Sequence, residues 1–204
     1  MKRILFRRYC ILITLLAAAF MPTAAPRIPV TGAVSTALES RTVASSRSMP
    51  ERISDPGVFS LDIVQQPTDN PGYVSRQEDK ITQFRLASEY GSKGFLAHND
   101  LAGAQFFDVQ LGDVLTIRYR DSSVETFEVV QIRHLQAVSP LSPYSRFLDL
   151  DNNNDSLSAV DLFYQTYGVK DTVVLQTCIA NGDELSWGRL FIIAQPITII
   201  PNSQ

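Results

Sequence analysis

Scarcity is the first thing the sequence shows. Two cysteines and two histidines are all that 204 residues hold of those types. Two cysteines are too few for the multi-bridge framework that staples small secreted domains. There is no Cys-x-x-Cys or His-Glu-x-x-His pair to hold zinc, no Gly-x-Ser-x-Gly elbow and no phosphate-binding glycine loop. These gaps argue against metal hydrolases, serine hydrolases and nucleotide enzymes. Long hydrophobic runs are also missing: the longest, Tyr9 to Phe20, falls short of the roughly 20 residues that span a bilayer. Basic charge is short too, with 18 Lys and Arg against 21 Asp and Glu. Nucleic acid needs clustered cations for its phosphates, so it is excluded as a partner. What is present, 45% apolar and 19% charged residues, is the composition of one globular domain.

The cations are unevenly placed. Lys2, Arg3, Arg7 and Arg8 precede the apolar run, and the small residues Thr23, Ala24 and Ala25 follow it. That order is a secretory signal peptide over residues 1–25, with an uncleaved membrane anchor as the alternative. Without those four cations the balance is 14 against 21, clearly acidic. Residues 26–55, rich in Ser, Thr, Ala, Arg and Pro, read as a flexible linker. Residues 56–204 are the domain, exported to an extracytoplasmic location, secreted or tethered to the membrane at the cell surface.

Within the domain the pattern is mainly β. Strands are expected over Val58–Val64, Ile81–Ala87, Phe95–His98, Val173–Cys178, Arg189–Ala194 and Ile197–Ile200. Val114–Tyr119 and Thr126–Ile132 flank the turn-like Asp121-Ser122-Ser123 and make a hairpin. Pro196 implies a bulge, a bend or an edge. One helix is expected over Leu157–Tyr167, opened by a capping-box-like Ser158–Asp161 and stopped by Gly168. Many short strands and one late helix suggest a small closed β-barrel. The stretch Asp149 to Asp155 could offer oxygens to calcium. The calcium loop of a helix-loop-helix hand would want Gly and Glu where Ser156 and Leu162 stand, so it reads as a polar turn.

Cys10 leaves with the signal peptide, and one cysteine, Cys178, then remains in an oxidising compartment. A leftover thiol there is an intermolecular bridge, a reactive nucleophile, or a small buried hydrophobe. Nucleophilic chemistry would need an imidazole to support the thiolate and a donor for the oxyanion. The imidazole is His98, at the end of a short apolar strand, or His134, at the far end of a hairpin strand. Arg189, eleven positions after Cys178, opens the next strand after the loop 180–188, and its guanidinium stays charged at physiological pH. As a strand-opening arginine it could equally be a surface residue.

Residues 94–194 resemble the catalytic domain of sortases. The matching pieces are His98 in GFLAHN, Phe106-Phe107, the turn Leu111-Gly112-Asp113, then Leu175-Gln176-Thr177-Cys178, and Arg189 in WGRL. The chain departs from the family in Ala97 for a glycine, in Val174 before Leu175, and in 80 positions between His98 and Cys178. The resemblance implies a closed eight-stranded β-barrel with one or two short helices. It implies that Cys178 attacks a peptide carbonyl in a sorting motif of a secreted protein and forms a thioacyl intermediate, which an amine acceptor at the cell surface resolves. His98 would protonate the leaving amine and Arg189 would steady the oxyanion. No cofactor is called for. The alternatives are a thiol hydrolase that uses water, and a non-catalytic secreted β-barrel that binds a ligand.

Overall fold

The computed structural model describes residues 48–153 and 155–197. The proposed signal, most of the linker and the last residues lie outside that range. The ten strands are β1 (Pro50–Asp55), β2 (Phe59–Gln65), β3 (Lys80–Phe84), β4 (Lys93–Leu96), β5 (Val114–Tyr119), β6 (Val124–Ala137), β7 (Phe147–Asp149), β8 (Ser156–Leu157), β9 (Val173–Asn181) and β10 (Glu184–Pro196). Helix α1 (Arg85–Glu89) separates β3 from β4, and α2 (Ala159–Tyr167) separates β8 from β9. A 3-10 helix spans Ala102–Asp108.

Eight strands close on themselves. The order is β10-β9-β4-β3-β2-β1-β5-β6, and β6 pairs back to β10. β7 and β8 extend from β6 outside the ring. This is the closed eight-stranded, mainly β architecture expected above. Closure leaves no edge in the ring, so every strand's backbone groups find partners on both sides. β2–β3 and β4–β9 are the parallel pairs and the rest are antiparallel. It follows that β1, β4, β6 and β9 all run toward one end of the barrel.

Two apolar clusters hold the fold. The first fills the barrel with Ile53, Leu61, Phe95, Ile117, Leu175, Leu190 and Ile192. The second lies between the outer wall and α2: Leu96, Leu135, Val174 and Phe191 from the wall meet Leu162, Phe163 and Tyr167. Each fully buried large side chain contributes about 1.5–3 kcal/mol. Alternation assigns the faces. Along β9, Val173 and Leu175 point inward and Val174 outward; along β10, Leu190 and Ile192 point inward and Phe191 outward.

Local chemistry explains several elements. Ser158 caps α2: its side chain accepts the Asp161 N–H at 3.1 Å and donates to the Asp161 carboxylate at 2.6 Å. The β5–β6 turn is held by Asp121, whose Oδ1 accepts the Ser123 N–H at 3.0 Å. Ser122 there has φ 67°, the left-handed region a tight turn needs.

Several boundaries differ from expectation; β4 ends at Leu96, so His98 lies just beyond the strand expected to carry it. β1 takes residues 50–55, the end of the segment read as linker. PERISD has one apolar residue in its middle, so no alternation shows, and pairing to β2 and β5 makes it a strand. The run Ile81–Ala87 splits: Arg85 begins α1, whose Ala87 packs against the wall. The loop 180–188 is a hairpin, since Glu184 pairs with Asn181 across Gly182 at φ 58°. Pro196 closes the last described strand, and a register shift lies just before it, between Ile193 and Ala194. Residues 198–200 lie outside the described range.

Candidate functional site

Three neighbouring strands bring His98, Cys178 and Arg189 into one row. Arg189 is the direct cross-strand partner of Cys178. On the other side of β9, Leu96 lies opposite Gln176, and the ladder continues with the Ala97 N–H donating to the Gln176 carbonyl at 3.1 Å. Two positions beyond the Leu96–Gln176 pair stand His98, just past the end of β4, and Cys178 on β9. The alternation is the same in all three: His98 follows the outward Leu96, Cys178 the outward Val174 by four, and Arg189 precedes the outward Phe191 by two. The row therefore faces outward, at the end of the barrel where β4 and β9 finish.

The backbone before His98 is held from three directions. The Thr177 hydroxyl donates to the Ala97 carbonyl at 3.0 Å. The His98 carbonyl accepts N–H groups from Leu101 at 3.1 Å and Gly103 at 2.9 Å. A Cβ on Gly103 would stand 2.3 Å from the Thr177 hydroxyl and 2.8 Å from the His98 carbonyl, so only glycine fits there. Thr177 and Gly103 thus position the histidine, and the sequence marks both only weakly, as a motif letter and a loop glycine.

All three side chains of the row are covered: Cys178 and Arg189 are each 1% exposed and His98 is 9% exposed. The Arg189 guanidinium donates to the backbone carbonyls of Ser186 at 2.9 Å, Gly188 at 2.8 Å and Pro140 at 3.4 Å. It is a clamp that ties the β6–β7 segment and the β9–β10 hairpin together, not the surface residue a strand-opening arginine could have been. Burial lowers its pKa to about 10, against the opposing pull of Glu184, so it stays charged at neutral pH. Cys178 is disulfide-bonded in the full chain. The chemistry expected of Cys178 as a lone thiol therefore belongs to the reduced protein.

His98 is pushed below the usual histidine pKa, first by burial and then by the nearby Arg76 charge; Asp100 and the Val74 backbone pull the other way. Burial and the Arg76 charge both favour the neutral ring. Val74 and Arg76 come from the β2–β3 connection, which is anchored by the Ser75 N–H donating to the Thr82 hydroxyl at 2.8 Å. His134 is a different case. It lies opposite the inward Leu190, out of phase with the row, and its ring contacts Asp151 at 3.2 Å. Of the two histidines, His98 shares the face of Cys178.

Beneath the row, the Tyr167 hydroxyl donates to the Gln176 Oε1 at 2.6 Å, and burial holds that hydroxyl protonated. Asp149, first of the acidic stretch considered for calcium, bonds Arg133 at 2.7 Å. No group of three or more His, Cys, Asp or Glu among the described residues is placed to hold a metal. No helix among them is long and apolar enough to cross a membrane.

No protein-family model matches the chain, and no curated protein sequence does. Solved structures do. Sortase C1 from Streptococcus suis is 14% identical with a TM-score of 0.49, over 78% of each chain. Sortase A from Corynebacterium diphtheriae is 16% identical with a TM-score of 0.46, over 78% of this chain and 66% of that one. Sortase C from Clostridium perfringens is 16% identical with a TM-score of 0.45, over 75% of this chain and 72% of that one. The chain is similar in fold to sortases of the A and C kinds.

Proposed function

We propose that the reduced protein is a cysteine transpeptidase of the sortase kind. The observation that supports this reading is the backbone register: Cys178 on β9 lies opposite Arg189 on β10, and His98 stands just past the end of β4, the strand on the other side of β9. His98 takes the Cys178 proton, and the thiolate attacks the carbonyl carbon of a peptide bond. The carbonyl oxygen gains the electron pair, and the Arg189 side supplies positive charge to it. The C–N bond then breaks, and His98 returns its proton to the departing amine, leaving a thioester on Cys178. An incoming amine attacks the thioester, a new C–N bond forms, the C–S bond breaks, and the amine's proton returns to His98 or the thiolate. Thiol, imidazole and guanidinium suffice for these steps, without metal or organic cofactor. The substrates are secreted proteins with a sorting motif, the acceptor is a cell-surface amine, and the enzyme works outside the cytoplasm.

A second reading has its own support. The guanidinium already holds three carbonyls and Cys178 is closed to solvent, which suits a non-catalytic barrel that uses Arg189 as a brace. Alkylation of the reduced full chain across pH separates the two. Under the transpeptidase reading, Cys178 is labelled, and His98→Ala moves the pH profile while His134→Ala leaves it in place. Under the brace reading, Cys178 resists labelling in the folded protein or neither histidine changes its profile.

A further inference from the structure

The outer wall carries a polar cavity of about 480 Å³ that the cysteine row does not use. Three elements build it. Gln131 and Arg133 come from β6, Gln165 from α2, and Asp149, Asp151 and Asn152 from the end of β7 and the turn after it. Arg133 precedes the outward Leu135 by two, so it leaves the barrel on the side of α2. Arg133 is 8% exposed and Asp149 6% exposed. Their ion pair closes at 2.7 Å, and a second Arg133 nitrogen donates to the Gln165 Oε1 at 3.4 Å. Burying an ion pair often brings no net stability. Here it holds a planar fork of donors fixed in the cavity wall.

Hydrogen-bonding capacity is left over in both senses. A guanidinium carries five N–H groups, and these two contacts use two of them. Gln165 spends its oxygen on Arg133 and keeps its NH₂ group. Asn152 does the reverse: its NH₂ donates to the Asp155 Oδ2 at 3.2 Å, which leaves its oxygen to accept. Gln131 adds a further carboxamide. Asp151 is fixed in place, since its Oδ2 accepts the His134 backbone N–H at 2.6 Å and the His134 ring contacts it at 3.2 Å. A carboxylate has about four lone-pair sites, so it can accept from a ligand as well.

This set of groups selects the ligand. One cation stands against two carboxylates, which disfavours an oxyanion. A metal ion lacks its ligands, because no three acidic, histidine or cysteine side chains converge among the described residues. An apolar molecule would meet Ile132 as the one apolar side chain among the described lining residues. An uncharged polyol fits instead. Each of its hydroxyls both donates and accepts, and a planar guanidinium, carboxamide or carboxylate can span two neighbouring hydroxyls. We propose that this cavity binds a saccharide, with vicinal hydroxyls bridging the Arg133–Asp149 pair and the surrounding carboxamides. Its volume falls within the range of small-molecule sites, roughly 300–1,000 Å³. The inference stands apart from the transpeptidase reading, since it uses no residue of the row.

The test is an NMR titration of the full chain with glucose, mannose and N-acetylglucosamine, each to about 50 mM. The signals read are the side-chain amides of Gln131, Asn152 and Gln165 and the Arg133 Nε–H. At least one sugar is expected to move them saturably, with a Kd on the order of 1 mM. Gln131→Ala and Gln165→Ala are each expected to weaken that binding by about tenfold with the thermal midpoint unchanged. Both positions are exposed, so the fold tolerates the change. Shifts that are absent with all three sugars, that fail to saturate, or that are the same in both variants would overturn the proposal.

Discussion

Cys178→Ala is expected to lower acyl transfer by about 10⁴-fold or more while the protein stays folded. The proposed nucleophile has no substitute within reach of the row. Its strand neighbours Thr177 and Ile179 are out of phase with it, and the Thr177 hydroxyl is already bonded to the Ala97 carbonyl. The fold survives because the substitution removes one sulfur from a wall held by the ladders to β4 and β10. Loss of that small buried group costs on the order of 1 kcal/mol. The check is product formation from a cleavable peptide and an amine, with denaturant midpoints measured in parallel. Retained transfer in the variant would remove Cys178 from the reaction.

Arg189→Met separates the brace seen in the structure from the oxyanion role proposed for this residue. As a buried cation it carries a desolvation cost, visible in its lowered pKa, and a volume-matched apolar side chain relieves that cost. Against this, the carbonyls of Ser186, Gly188 and Pro140 lose their donor. The terms oppose, so the net stability change is expected to stay within about 2 kcal/mol. Transfer has no such compensation: removing the charge beside the developing oxyanion should cost about 10²–10³-fold. Arg189→Lys keeps the charge but not the planar fork, and should fall between. The check is kcat/KM beside the denaturant midpoint for both variants. A large stability loss with unchanged kcat/KM in whatever remains folded would make Arg189 a brace alone.

Sequence made some of this legible and hid the rest for physical reasons. The α2 cap and the β5–β6 turn are written in a few adjacent residues, Ser158 with Asp161 and Asp121 with Ser123, so they can be read locally. β1 cannot, because its one central apolar residue, Ile53, acquires meaning only between β2 and β5. Neither can the 3-10 helix, whose buried Ala102, Gly103 and Phe106 show no helical stripe. The site depends on the parallel pairing of β4 with β9, which joins positions 80 residues apart and leaves no local trace. The resemblance to sortases supplied the trio. The shared row, the brace made by Arg189, the fixing of His98 by Thr177 and Gly103, and the disulfide at Cys178 came from the fold. His134 shows the difference clearly. In the chain it competes with His98, and one step of strand register turns it away from the thiol.

A thioacyl bond on Cys178 is the intermediate on which the proposed chemistry turns. The direct measurement is the intact mass of the reduced full chain after incubation with a pool of sorting-motif peptides and no amine. The expected result is an added acyl mass that maps to Cys178 and is released by hydroxylamine. An unmodified mass with every peptide, from protein whose Cys178 thiol is shown by alkylation to be reduced and reachable, would contradict it.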